Sequence, residues 1–261
     1  MANYIHNEIL SEAYTHLESD LFDDKEALER LRKLLVAFYT ERASFLFGQD
    51  VQIEVIFEEG SLKTKIVAWG SAAAIITAAV AGYPSFREGV LQLSHDAVSL
   101  AQAANLEVIF RTQTPYCDRI RVEKRKGVFG RVSALINDLD SISHEISSLK
   151  LPTSTSKLRD SKEAINRLLT WRENAETLFS KFEGPETEVC VAEGLIAEFR
   201  KLPSQLPWKE ELSGSGLRSQ IAGSDPALAG NVAAEATRYE VTFKSILKDL
   251  KNHKDHPKQE E

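Results

Sequence analysis

Between Lys65 and Arg87 the chain carries no charged residue, although 27% of its 261 residues are Asp, Glu, Lys or Arg. An uncharged run of this length needs dry surroundings, either the interior of a fold or a bilayer. A membrane-spanning helix takes roughly 20 predominantly apolar residues, and Ile66 to Phe86 just reaches that count. Gly70, Ser71, Thr77, Gly82 and Pro84 interrupt it, however, and alanine inserts only weakly.

The run also breaks into pieces with different periods. Val51, Ile53, Val55 and Phe57 alternate with Gln52, Glu54 and Glu58, and Leu62, Thr64, Ile66 and Ala68 alternate with Lys63 and Lys65. Period-two patterns on both sides of Glu59-Gly60-Ser61 predict a β-hairpin. A two-residue turn at Gly60-Ser61 sets Glu58 opposite Lys63 and Phe57 opposite Thr64, with both apolar rows on one face. SAAAIITAAVA then predicts a short helix, which Gly82-Tyr83-Pro84 ends. Ser85 with Glu88 three residues on is a capping box for a second helix to about Asn105, burying Val90, Leu91, Val98, Leu100 and Ala101. LEVIFRT, from Leu106 to Thr112, fits an extension of that helix and a third strand equally.

Upstream, Ile5, Ile9, Leu10, Tyr14, Leu17 and Leu21 recur at helical steps and predict a helix. Leu28, Leu31, Leu34, Leu35, Phe38 and Phe45 predict another between the Asp23-Asp24 cap signal and Gly48. Downstream, Val128, Val132, Leu135, Leu139, Ile142, Ile146 and Leu149 alternate steps of four and three, the spacing of a coiled-coil seam. After Pro152–Ser156 the same spacing returns at Ala164, Leu168, Trp171, Ala175, Leu178 and Phe182, predicting a long antiparallel helical hairpin. A shorter helix around Val191, Leu195, Ile196 and Phe199 precedes a loop with Pro203, Pro207, Gly214, Gly216 and Gly223. Ser224-Asp225-Pro226 starts a final helix carrying Tyr239, Phe243, Ile246, Leu247 and Leu250. The expected fold is α+β and predominantly helical: a helical and β-hairpin domain over 1–126, a helical domain over 127–252, and a disordered tail over 253–261.

A formal charge of −7 disfavours a dedicated nucleic-acid binder. Cys117 and Cys190 stand far apart without metal-ligand spacing, so neither a zinc site nor a disulfide framework is expected, and a reduced, cytoplasmic setting follows. The N-terminal residues lack the basic and apolar regions of a signal peptide. Against the acidic background, Arg119, Arg121, Lys124, Arg125, Lys126 and Arg131 form a basic cluster. Its functional reading is contact with the phosphates of lipid or nucleic acid, and its structural reading is a solvated face pairing with carboxylates. Gly127-Val128-Phe129-Gly130 has the GxxG form of an RNA-clamping loop, but with apolar residues at its centre. His95-Asp96 matches half of a metal-dependent phosphohydrolase dyad and lacks the further ligands. Asp23-Asp24 and Glu58-Glu59 are accounted for by a helix cap and a turn. GxSxG, Walker, HExxH and GxGxxG motifs are absent, so no catalytic residue, metal ligand or cofactor is assigned.

EEGSLKTKI at Glu58 to Ile66, GYPSFREGV at Gly82 to Val90 and RVEKRKGVFGRV at Arg121 to Val132 resemble segments shared by a group of uncharacterised bacterial proteins. The resemblance covers the middle third of the chain and implies a bacterial source and structural landmarks, with no activity attached. The functional expectation is a non-enzymatic protein-interaction or regulatory module acting through the seam Val132, Leu135, Leu139, Ile142, Ile146 and Leu149, with a protein partner or self-association. The alternatives are a membrane-associated effector inserting 66–86 with the basic cluster on headgroups, and an enzyme with an unrecognised site.

Overall fold

A computed structural model describes residues 8–18, 24–48, 50–58, 62–210 and 226–257. The chain is α+β and mostly helical, and it divides into two compact units, Met1–Ser133 with Phe182–Thr187, and Ala134–Lys181 with Glu188–Glu261.

In the first unit, β1 (Glu8–Leu17), β2 (Gln52–Glu58), β3 (Leu62–Gly70) and β4 (Arg119–Lys126) form an antiparallel sheet in the order β2-β3-β1-β4. The hairpin register is the predicted one: Glu58 pairs with Lys63 and Phe57 with Thr64. The turn itself lies outside the described residues. Leu62, Thr64, Ile66 and Ala68 form the buried row of β3, as period-two alternation requires.

The predicted helix from Ile5 to Leu21 is corrected: its described part, Glu8–Leu17, is strand β1, paired with β3 on one side and β4 on the other. Three of the positions on the buried face of β1, Ser11, Ala13 and Thr15, are small or polar and so weaken the apolar alternation that would mark a strand. The Ser11 hydroxyl donates to the Ala97 carbonyl at 2.6 Å, and the Thr15 hydroxyl donates to Asn105 Oδ1 at 2.6 Å. A bulge between Ile9 and Ser11 buries Leu10 as an additional residue on β1.

Helix α1 (Lys25–Phe47) starts at Asp24, whose Oδ1 accepts the Glu26 and Ala27 N–H groups, and stops at Gly48, where φ is 94°. Helix α2 (Ala72–Gly82) is capped by Ser71, and α3 (Phe86–Thr112) by Ser85. The LEVIFRT segment is therefore helix. Val108 and Ile109 continue the buried stripe of Ala101 and Ala104, while Leu106 and Phe110 point away from it.

Ala72, Ala73, Ile75 and Ile76 of α2 are buried in protein, and from Thr77 onward the helix is half-buried or exposed. Among the described residues no helix is long and apolar enough to cross a membrane. The uncharged run is thus a strand, a short helix against α3, and the cap of α3.

Helix α4 (Val128–Ser148) leads into the second unit, followed by α5 (Thr155–Phe179), α6 (Pro185–Phe199) and α7 (Pro226–Asp255). Arg167 of α5 reaches Asp138, Ser141 and Glu145 of α4, and the Trp171 indole donates to the Leu135 carbonyl at 2.8 Å, which fixes α4 and α5 as antiparallel. Pairs Lys162–Glu235, Arg172–Asp249 and His253–Glu176 advance together along α5 and α7, which run parallel. Trp171, Phe199 and Phe243 stack in series at the centre, with ring centroids 5.6 and 4.9 Å apart. Helix α7 extends to Asp255, so the first residues assigned to a tail are ordered by contacts. His253 stacks on Phe179 at 4.1 Å between centroids, with its ring nitrogens 2.6 Å from Glu188 and 3.0 Å from Glu176.

Candidate interaction surface

Among the described residues strand β4 is an edge strand, with β1 as its one neighbour in the sheet. It holds most of the basic cluster and is exposed or half-buried along its whole length. Alternation along a strand divides its side chains between two faces. On one face Lys124 reaches Gln102 of α3 at 3.2 Å. On the other, Arg125 donates to Glu12 at 2.6 Å and to Glu123 at 3.1 Å, Arg121 pairs with Glu123, and Lys65 stands 3.3 Å from Glu12. The hydrogen bond from Arg121 is the main influence holding the Glu123 carboxyl below its ordinary range. The guanidinium of Arg125 also lies 5.7 Å from the centre of the Tyr14 ring.

The six basic residues are therefore not one patch. Arg121 and Arg125 belong to a charge ladder across β3, β1 and β4, while exposed Lys126 ends β4 and exposed Arg131 lies on α4. Arg119 differs from the rest. Its Nε is buried with no hydrogen-bond partner, and its guanidinium lies 5.5 Å from the centre of the Tyr116 ring.

Between β4 and α3 runs an open groove. Gln102, Asn105, Leu106 and Ile109 of α3 face Ile120, Val122 and Lys124 of β4 across a cavity of about 440 Å³, which Tyr116, Arg119 and Arg121 also line. A second cavity of about 660 Å³, sharing Leu106, Ile109 and Arg119, continues past Phe110 and Arg111 to Gln113 and Thr114. Asn105 ties the walls together, its Nδ2 donating to the Glu123 carbonyl at 2.7 Å while its Oδ1 accepts from Thr15.

The rim is apolar. Tyr116 is 84% exposed, Phe110 72%, Ile120 57%, Leu106 56% and Val122 44%. A bulge where β4 passes His16 and Leu17 places Ile120 outside the regular register. In the sequence Leu106 and Phe110 fall in LEVIFRT and Ile120 and Val122 among the basic residues from Arg119 on, while Tyr116 carries no signal. Their joint position depends on pairing β4 with β1 above α3.

The remaining candidates take structural roles or stand apart. Val132, Leu135, Leu139, Ile142 and Ile146 of the seam are buried, and Leu149 is half-buried. The GxxG segment is buried throughout, with Gly127 against the β1 backbone, so the loop reading is corrected: no surface is left there to clamp RNA. His95 is exposed, and its neighbour Asp96 accepts from Gln92 at 2.8 Å. Among the described residues no group of three or more His, Cys, Asp or Glu side chains is placed to hold a metal ion. No family model, curated protein or solved structure matches the chain.

Proposed function

We propose that the protein is a non-enzymatic interaction module that engages a protein partner through the α3–β4 face of its sheet unit. The observation carrying this reading is the clustering of Leu106, Phe110, Tyr116, Ile120 and Val122, all large, apolar and exposed, around one groove beside an edge strand. Soluble proteins keep contiguous apolar patches small unless they mark an interaction site. Because the seam residues are buried in the chain itself, recognition is assigned to this face instead.

The test is affinity purification from the native host followed by mass spectrometry, comparing the parent with a Phe110→Asp, Ile120→Asp double variant. Loss of a specific partner in the variant, with the circular dichroism spectrum unchanged, supports the assignment. A partner retained equally by both proteins overturns it. Light scattering at several concentrations, parent against variant, identifies the case in which the partner is a second copy.

A further inference from the structure

Resting on that reading, we infer that the groove receives an extended acidic segment of the partner, which adds as a strand alongside β4 and places a carboxylate on Arg119. Three observations carry this. The first is charge: among the described residues Arg119 and Lys124 line the two adjoining cavities without a carboxylate partner, beside Arg111 and Arg121, which are paired with Glu107 and Glu123, in a chain whose net charge is −7. The lining selects an anion from a protein that otherwise repels one.

The second is Arg119 itself. A buried N–H donor without a partner is costly to leave unsatisfied, and Arg119, a residue that lines both cavities, holds such a donor at its Nε. A carboxylate entering the groove meets the same guanidinium in the bidentate geometry such groups favour. Arg121 and Arg111 already carry Glu123 and Glu107, so the anchor is Arg119.

The third is shape. The groove follows α3 from Gln102 to Gln113, about 16 Å at the rise of an α-helix, which matches roughly five residues of extended chain. It is open along its length and bordered by an edge strand. A small ligand is normally enclosed over most of its surface, whereas an added strand bonds through its backbone and sinks alternate side chains into such a trough. Apolar side chains on one side of the segment meet Leu106, Ile109 and Val122, and an acidic one meets Arg119.

The experiment uses the full chain and fluorescein-labelled short peptides that alternate Val with Glu, Lys or Gln, read by fluorescence anisotropy at low and high salt. The Val/Glu peptide is expected to bind saturably below about 1 mM, and more weakly at high salt. It is expected to bind about tenfold more weakly to Arg119→Gln, with Arg119→Lys recovering part of the loss. Methylating alternate backbone nitrogens of that peptide is expected to abolish binding in one of its two phases. No saturable binding, or equal binding of the Val/Lys peptide, overturns the acidic class, and equal binding of both methylated forms overturns strand addition. Dodecanoate binding that depends on Arg119, without peptide binding, reassigns the groove to a small amphipathic anion. If the peptides fail while the Phe110→Asp, Ile120→Asp variant still loses its native partner, the interaction face stands and the occupant proposed here falls.

Discussion

A Cβ atom placed on Gly127 would stand 2.5 Å from the carbonyl carbon of Leu10, and it would overlap the carbonyl oxygens of Ile9 and Leu10 as well. Real Cβ atoms do not approach backbone this closely, so β4 can pass into α4 beneath the β1 bulge only without a side chain at this point. Gly127→Ala is expected to destabilise the chain by about 3 kcal/mol, because the obstructing atoms are backbone and cannot rotate away. Gly230 of α7 has nothing within 4 Å of such an atom, and Gly230→Ala is expected to stabilise by roughly 0.5–1 kcal/mol through helix propensity. Urea denaturation of the two variants measures both; an equal response would show that space at Gly127 is not the constraint.

Leu139 sits in the middle of the α4 seam and is 3% exposed. Leu139→Ala is expected to cost about 2–5 kcal/mol through lost burial and the cavity left behind. Leu139→Asp is expected to unfold the helical unit, since a carboxylate there would be desolvated without a partner. Circular dichroism melts test both, and a folded, monomeric Leu139→Asp protein would mean that the seam is a surface after all.

Glu8 is 6% exposed, and its carboxylate accepts the Glu183 N–H at 3.0 Å. Burial raises the pKa of its carboxyl, opposed by the Glu183 and Gly184 backbone N–H groups. A carboxyl that holds its proton more tightly in the folded chain favours folding while it is protonated. That contribution is lost as pH rises from the ordinary carboxylate range through the higher folded value. Glu8→Gln keeps an acceptor oxygen and cannot ionise, so it is expected to flatten the stability profile across that window. Urea titrations from the acid side of the window to neutrality decide this; a profile parallel to the parent's would remove Glu8 from the pH response.

Asn105 is 3% exposed and bonds both β1 and β4. Asn105→Ala leaves the Thr15 hydroxyl and the Glu123 carbonyl without this partner, at an expected cost of about 1–3 kcal/mol. Hydrogen exchange should accelerate first in β4, whose side chains are the least buried in the sheet. Exchange that rises uniformly over the unit would argue against a local tie.

Much of the framework could be read along the chain because it is local. The Glu58–Lys63 register follows from alternation across a short turn, and the cap at Ser85 from one hydroxyl and the N–H three residues on. The seam of α4 follows from its period. Strand β1 failed the same treatment because the side chains at Ser11 and Thr15 face α3 through hydroxyl bonds. What remained visible, Ile9, Leu10, Tyr14 and Leu17, fits helical spacing. Strand β4 gave no periodic signal because neither of its faces is buried.

By itself the sequence determined where α1 and α3 begin, which residues pair across the hairpin, and that the uncharged run changes period from strand to helix. Tertiary structure decided the rest. Whether 8–17 is helix or strand depends on hydrogen bonds to β3 and β4, segments about 50 and 110 residues away. The groove exists only once β4 is paired at the sheet edge above α3, since Leu106, Arg119 and Ile120 have no common pattern in the chain. Local energies act over a few residues and leave their mark in spacing, whereas a recognition surface assembled from separate elements is specified by packing alone.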